Sequence, residues 1–152
     1  MKKSDFARLV DKAFIPLESQ YQFKRVASSF HSGGVEVTFQ NPTTELCLNY
    51  EIGSFPWITI GDIKNPKEDR VSLDWLLVEL DQRESPTPDE TFFPKGMEDN
   101  QLEAELQTKI KELLKFGKEM LAGDFSLMPK IKTRADDYLA ECRKIADRYK
   151  TS

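Results

Sequence analysis

The chain has 152 residues, of which 39% are hydrophobic and 32% charged, and its mean hydropathy is -0.55. This balance excludes both general disorder and a membrane protein, and the length is typical of one globular domain. Asp and Glu outnumber Lys and Arg by 26 to 22, which gives a net charge of -4 and argues against nucleic-acid binding, because neutralising phosphates requires concentrated cations.

No targeting segment is evident in the sequence. Charged residues interrupt the apolar stretch after Phe6 that an export signal would need, and the longest apolar runs are too short to cross a bilayer. Two cysteines, Cys47 and Cys142, are too few for a disulfide framework. We therefore expect a cytoplasmic protein with reduced thiols.

The first half of the chain predicts one helix followed by a sheet. Ser4 can cap a helix whose apolar residues repeat at helical spacing until Pro16, which we expect to end it. Apolar residues then alternate on both sides of Gly33-Gly34, again over residues 45–52, and β-branched residues fill 57–63. Turn residues separate these segments. The pattern indicates a four-stranded antiparallel meander with one solvated face.

The second half predicts about three helices packed on one face of that sheet. Ser72 can cap a short helix, Asn100 with Glu103 resembles a capping box for a helix ending at Gly123, and a last helix has the clearest apolar period in the sequence. Residues 81–99, between the first two of these helices, predict a proline-containing acidic loop. We expect its Phe92-Phe93 pair to hold part of the loop to the core. Residues 1–152 thus read as a single α+β domain.

The sequence offers little for ordinary catalysis. His31 is the only histidine and lies beside the Gly33-Gly34 turn, where we expect it to be exposed. Cys47 has no neighbouring nucleophile signature, and three His and Cys residues in all are too few and too scattered for a zinc site. The phosphate-binding glycine loops are missing from the sequence. We predict no catalytic residue, no metal and no cofactor.

Carboxylates leave one alternative open. Asp62 and Asp124 each follow a glycine, where an aspartate usually bonds to the backbone of its own turn. If the two carboxylates instead converged in a cleft between sheet and helices, they would favour a small-ligand binding protein or a hydrolase.

Aromatic residues beside turns and acids indicate recognition of a protein. Protein interfaces use aromatic anchors rimmed by charge, and an acidic surface best fits a basic partner. The candidate partner-binding residues are Trp57, Asp89, Glu90, Phe92 and Phe93.

The segment Met120-Leu121-Ala122-Gly123-Asp124-Phe125-Ser126, closing a leucine-patterned helix after a β-meander, resembles a pattern in small bacterial proteins of the immunity type associated with toxin systems. The resemblance carries no functional residue. It implies a binding protein that occludes its partner, such as a basic nuclease-like toxin. The hypothesis is therefore a non-enzymatic protein-binding domain, with a carboxylate-based ligand protein or a structural subunit as alternatives.

Overall fold

A computed structural model describes residues 3–87, 90–91 and 96–150 of the chain. The first half contains helix α1 and five strands: α1 Lys3–Tyr21, β1 Lys24–His31, β2 Gly34–Gln40, β3 Thr44–Glu51, β4 Trp57–Asp62 and β5 Arg70–Ser72. Among the described residues of the second half lie the helices α2 Leu73–Glu79, α3 Leu102–Phe116, α4 Lys118–Leu121 and α5 Met128–Lys150, with a 3-10 turn at Asp99–Gln101.

The strands form one antiparallel sheet in the order β1-β2-β3-β4-β5, so the predicted α+β fold is confirmed. The predicted number of four strands is wrong. Residues Arg70–Ser72 add a fifth strand, in which Ser72 pairs with Thr59 of β4 and also caps α2 by accepting from Trp75 N at 3.2 Å. Three residues are too few to give an alternating pattern, and their pairing with β4 is a tertiary contact.

The core lies between one face of the sheet and the helices. Phe14 of α1 stacks on Phe39 of β2 with ring centroids 4.0 Å apart, and Phe6 stacks on Tyr50 of β3 at 5.4 Å. The apolar residues of β3 and β4 that face this side are buried: Leu46, Leu48, Ile58 and Ile60. The alternation read from the sequence therefore does turn these side chains toward the helices.

Helix α1 continues through Pro16 to Tyr21, so the predicted end at Pro16 is wrong. A proline inside a helix costs about 3 kcal/mol because it removes one hydrogen bond and crowds the preceding turn. Phe14 and Leu17, on either side of it, are both fully buried. Burying two such side chains is worth about 3 to 6 kcal/mol, enough to offset the proline. The helix instead ends at Tyr21, and the next residue, Gln22, adopts the left-handed conformation at φ 63°.

The helix predicted to end at Gly123 is divided in two at Gly117. Gly117 follows the last residue of α3, and α4 begins at Lys118. The predicted capping box of Asn100 with Glu103 is also wrong: Glu98 N donates to Gln101 Oε1 at 3.2 Å, while Glu103 accepts from Lys12 of α1 at 2.9 Å. A tertiary ion pair thus uses the carboxylate that the local pattern assigned to the cap.

Helix α5 confirms the helical period of the C-terminal segment, but its apolar face is unevenly buried. Ile131 is fully buried and Cys142 is 5% exposed, whereas Leu139 is 45% and Tyr149 77% exposed. The helix contacts α2 and β5. The periodicity identified the helix correctly without identifying how much of it packs on the core.

Candidate protein-binding surface

The turn between β3 and β4 presents apolar side chains to solvent. Ile52 is 69% and Phe55 38% exposed, and Trp57, paired with Asn49 on the sheet face away from α1, is half-buried. Gly53 makes this turn possible, because its φ of 86° is rarely adopted by side-chain-bearing residues. Ser54 N and Ser54 Oγ both donate to Glu51 O, at 3.0 and 2.8 Å.

The end of the acidic segment is anchored beside this turn. Met97 N donates to Gly53 O at 3.0 Å, and the Met97 side chain is 6% exposed. Two residues later, the Tyr50 hydroxyl donates to Asp99 Oδ1 at 2.6 Å. Glu98, between these two anchors, is exposed. We call the group Glu51, Ile52, Phe55, Trp57 and Glu98 the hairpin-end surface.

The protonation states of Tyr50 and Asp99 favour the hydrogen bond between them. Burial, followed by the neighbouring Asp99 carboxylate, raises the pKa of Tyr50 to about 12. The hydrogen bond from the Tyr50 hydroxyl lowers the pKa of Asp99. At neutral pH the phenol is therefore the donor and the carboxylate is ionised, which is the stronger, charge-assisted form of this hydrogen bond.

The structure describes two of the five residues that the sequence proposed for partner binding. Trp57 lies in the hairpin-end surface, and Glu90 is exposed, with its N–H donating to Thr87 Oγ1 at 3.3 Å. Asp89, Phe92 and Phe93 lie outside the described residues. No hydrogen bond, ion pair or ring contact joins Trp57 to Glu90 in the part of the chain that is described.

Helix α5 holds the acidic segment at a second place. The Tyr138 hydroxyl donates to Thr87 O at 2.9 Å and also hydrogen-bonds to Thr91 Oγ1. The Tyr138 ring packs on Trp75 of α2, with centroids 5.3 Å apart. The expectation that part of the loop is held to the domain is correct in its described residues, and the contacts come from Tyr138 and Met97.

Sequence reasoning missed Ile52 and Glu98. Ile52 continues the alternation of β3, so the pattern assigned it to the strand, whereas β3 ends at Glu51. The available signal is Gly53, because a glycine after an alternating run indicates a turn, and residues in a turn leave the sheet. Glu98 gave no signal of its own, because its position depends on the contact between Met97 and Gly53.

The second face of the sheet carries a closed polar network. Glu45 is 9% exposed and accepts from Arg70 at 2.9 Å and from Gln40 Nε2 at 2.6 Å. Arg70 Nε also donates to Pro66 O at 3.0 Å. Because these groups bond to one another, the network holds the 62–69 loop to the sheet.

Cys47 lies beside that network and is not a reactive thiol. Its side chain points to the second face of the sheet and is 1% exposed. Burial, followed by the charge of Glu36, raises the pKa of Cys47, which disfavours the thiolate that a nucleophile requires. His31 is exposed, as expected beside its turn. These placements leave Cys47 and His31 apart as a protonated thiol and a surface imidazole.

Asp62 and Asp124 both adopt the turn geometry that is usual after glycine. Asp62 Oδ1 accepts from Lys64 N at 3.0 Å, and Asp124 Oδ1 accepts from Ser126 N at 3.0 Å. The bonds from Ser126 lower the pKa of Asp124. Each carboxylate is thus engaged by its own turn.

One cleft includes Asp62 but not Asp124. It measures about 470 Å³, and its polar lining residues are Asp62, Asp69, Lys132, Thr133 and Asp136. Lys132 Nζ is already bonded to Glu68 O at 2.8 Å and lies 3.5 Å from Asp69 Oδ1. Among the described residues no group of three or more His, Cys, Asp or Glu side chains could hold a metal ion.

Comparisons with known proteins add no assignment. No protein-family model matches the chain, and searches of curated proteins and of solved structures found no significant match. Within the described part of the chain, no helix combines the length and the apolar character that crossing a membrane requires.

Proposed function

We propose that this chain is a non-enzymatic protein-binding domain whose contact region is the hairpin-end surface. The observation that carries the proposal is the exposure of Ile52 and Phe55 on a turn that also contacts the acidic segment at Gly53. Exposed apolar side chains with charged residues around them are typical of the centre and rim of protein interfaces.

Rigidity of the turn supports the proposal. The bond from Met97 N to Gly53 O and the bond from the Tyr50 hydroxyl to Asp99 fix the two segments on the sheet. A surface that is already ordered loses less conformational entropy when a partner binds. A smaller entropy cost of ordering the surface then opposes the favourable free energy of its apolar contacts.

Charge favours a basic partner. Glu51 and Glu98 are exposed carboxylates at the hairpin-end surface, the acidic segment leads into it, and the whole chain carries a net charge of -4. Complementary charge accelerates association and disfavours like-charged competitors. The resemblance of residues 120–126 to immunity-type proteins suggests the most specific version, in which the partner is a basic toxin that binding occludes.

The apolar part of the proposal is tested with a partner captured from the source cell at low salt, identified, purified and measured by surface plasmon resonance. Ile52→Ser and Phe55→Ser are each expected to weaken binding by about tenfold or more, equivalent to about 1.4 kcal/mol. Ile15→Ser is the matched control, because Ile15 is 56% exposed on α1, away from this turn. Failure to capture any partner, or equal affinity of all three variants, would contradict the proposal.

The electrostatic part is tested by reversing charges. We test two double variants, Asp89→Lys with Glu90→Lys and Glu51→Lys with Glu98→Lys. Each is expected to slow association with a basic partner and to weaken the salt dependence of the association rate. Glu18→Lys on α1 is the control, because Glu18 is exposed away from the acidic segment. Faster association of the reversed variants would indicate an acidic partner instead.

A further inference from the structure

The acidic segment is attached to the domain at two points soon after α2. Arg83 forms ion pairs with one carboxylate of α2 and one of α3. Four residues further on, Thr87 O accepts a hydrogen bond from the Tyr138 hydroxyl of α5 at 2.9 Å. Ser85 lies midway between these points and is exposed, and no hydrogen bond engages its hydroxyl within the described residues. The backbone is therefore held on both sides of Ser85, while the hydroxyl stays accessible.

Helix α5 places a guanidinium beside this hydroxyl. Arg134 precedes Tyr138 by four residues, so the two side chains lie on the same face of the helix, one turn or about 6 Å apart. Two residues of chain reach at most about 7 Å, so Ser85 can lie one helical turn away from the bond between Thr87 and Tyr138. Ser85 and Arg134 do line one cleft of about 410 Å³, together with Arg83.

The ion pairs of the two arginines leave most of their N–H donors unused. A guanidinium has five such donors. Arg134 uses Nε, which lies 2.9 Å from Glu79 Oε2. Arg83 uses its two Nη atoms for Asp74 and Glu112. In the part of the chain that the structure describes, the other donors of both side chains have no partner. The cleft is thus lined by two cations that can still donate hydrogen bonds.

Carboxylates in the same cleft determine which anion it favours. Asp81 and Glu84 line the cleft with the two arginines, so the charges balance and a free anion is only weakly attracted. A phosphate group on Ser85 differs, because its attachment gives it a high effective concentration at the arginines. Guanidinium and phosphate form bidentate, charge-assisted hydrogen bonds, whereas exposed carboxylates repel a phosphate only through screening solvent. The cleft therefore favours a phosphoserine of this chain over phosphate from solution.

We infer that Ser85 is a phosphorylation site and that Arg134 and Arg83 bind its phosphate group. A serine/threonine protein kinase supplies ATP. Ser85 Oγ attacks the γ-phosphorus, the bond from this phosphorus to the β,γ-bridging oxygen breaks, and ADP leaves with the bonding electron pair. The hydroxyl proton passes to a base of the kinase. Pro86 disfavours a helix at Ser85 and so keeps the segment open to a kinase cleft. The phosphate dianion then fixes the start of the acidic segment on α5.

Mass spectrometry of the full chain, purified from the source cell with phosphatases inhibited, tests the modification. Phosphate is expected on Ser85 in the wild type. Thr87→Ala is expected to keep this phosphate, because the Thr87 hydroxyl already accepts from Glu90 N at 3.3 Å. Ser85→Ala is expected to remove it. A wild type without phosphate on Ser85, or a phosphate on this segment that persists in Ser85→Ala, would overturn the inference.

Phosphorus NMR tests the binding of the phosphate by the arginines, on full chain made with phosphoserine at position 85. The second pKa of this phosphate is expected to lie about 1 below its value in the urea-unfolded chain, because nearby cations favour the dianion. Arg134→Gln and Arg83→Gln are each expected to reduce this difference. Arg143→Gln is the matched control, since Arg143 is exposed nine residues further along α5, on the opposite side of the helix.

Two outcomes of the NMR experiment would overturn the inference. One is a phosphate pKa that is equal in the folded and unfolded chains. The other is an Arg134→Gln variant that titrates like Arg143→Gln while far-UV circular dichroism shows both to be folded. Neither outcome bears on the hairpin-end surface, whose test uses a captured partner and different variants.

Discussion

The two ends of the sheet invert the usual relation between polarity and burial. At the β2–β3 turn, Thr44 is fully buried and Asn41 is half-buried, although both are polar. At the β3–β4 turn, Ile52 and Phe55 are exposed, although both are apolar. The β2–β3 turn contacts the ends of two helices, whereas at the β3–β4 turn Gly53 O accepts from Met97 N and Ile52 N donates to Gly33 O of the β1–β2 turn.

Hydrogen bonds explain why the first end tolerates buried polar groups. Asn41 Nδ2 donates to Tyr21 O at 3.0 Å and to Leu121 O at 3.1 Å, and Thr44 Oγ1 donates to Met120 O at 2.7 Å. These bonds satisfy carbonyls at the ends of α1 and α4, where a helix has no internal donors left. The comparison teaches that one end stabilises the fold and the other leaves surface available for a partner.

The largest expected effect comes from Asn41→Ala. The substitution removes the two bonds to the helix ends and those that Asn41 Oδ1 accepts from Thr43 N at 2.9 Å and Thr44 N at 2.7 Å. We expect a loss of about 3 kcal/mol in the free energy of unfolding, measured by urea denaturation. Ser54→Ala at the other end removes one exposed bond and is expected to cost about 0.5 kcal/mol or less. Equal costs would remove the distinction between the ends.

Two glycines with positive φ extend the comparison, Gly53 at the β3–β4 turn and Gly123 beside the β2–β3 turn. A Cβ at Gly53, with φ 86°, meets nothing within 4 Å, whereas a Cβ at Gly123, with φ 97°, would lie 2.9 Å from Thr43 Cβ. Gly53→Ala is expected to cost about 1 kcal/mol from backbone strain alone. Gly123→Ala adds overpacking and is expected to cost about 2 to 3 kcal/mol. Thermal unfolding of both variants would show whether the tighter end is the less tolerant one.

Tyr50→Phe tests the attachment of the acidic segment to the exposed end. At neutral pH we expect a loss of about 1.5 kcal/mol in unfolding free energy, because Tyr50→Phe removes one charge-assisted hydrogen bond. Because the pKa of Tyr50 is raised from 10.0 to about 12 on folding, its contribution is complete below pH 10 and falls as the pH rises toward 12. Urea denaturation over that range should show a decline in the wild type that is weaker in Tyr50→Phe. Parallel pH profiles would contradict the assignment.

The low pKa of Asp99 acts at the other end of the pH scale. A carboxylate whose pKa is lowered by folding contributes stability above its unfolded value of 3.8, and that contribution is lost as the pH falls through the folded value. Asp99→Asn should therefore flatten the acid side of the stability profile. Asp124→Asn should flatten the acid side as well, because the hydrogen bonds from Ser126 lower the pKa of Asp124 in the same direction; urea denaturation between about pH 2 and pH 5 measures both variants.

The smallest effect on stability is expected for Ile52→Ser. With 69% of its surface already exposed, Ile52 has little burial to lose, and we expect a change within about 0.5 kcal/mol in unfolding free energy. Circular dichroism during urea unfolding measures it. A large loss would assign Ile52 to the core, and any reduced partner binding in this variant could no longer be attributed to the surface.

Sequence patterns predict the features that depend only on residues close together in the chain. Alternation over residues 45–52 identifies the face of β3 that packs on the helices, but the solvated second face that it predicts is wrong for β3, because Glu45 and Cys47 are buried there as well. Ser72 is correctly predicted as the cap of α2 from its position alone. Pro16 was misread because its effect depends on how deeply Phe14 and Leu17 are buried, and burial depth depends on the sheet beneath α1. Trp57 was recognised as a candidate from its turn, while the nearness of Glu98 to that turn was not visible in the sequence.

The sequence by itself determined the class of fold, the main helices and strands, and the turn conformations at Asp62 and Asp124, because side-chain periodicity and turn chemistry act within a few residues. Only the tertiary structure decided the fifth strand, the partner of Glu103, and the meeting of the acidic segment with the β3–β4 turn. Each of these joins residues far apart in the chain, and whether such contacts form depends on how the whole core packs rather than on any local pattern.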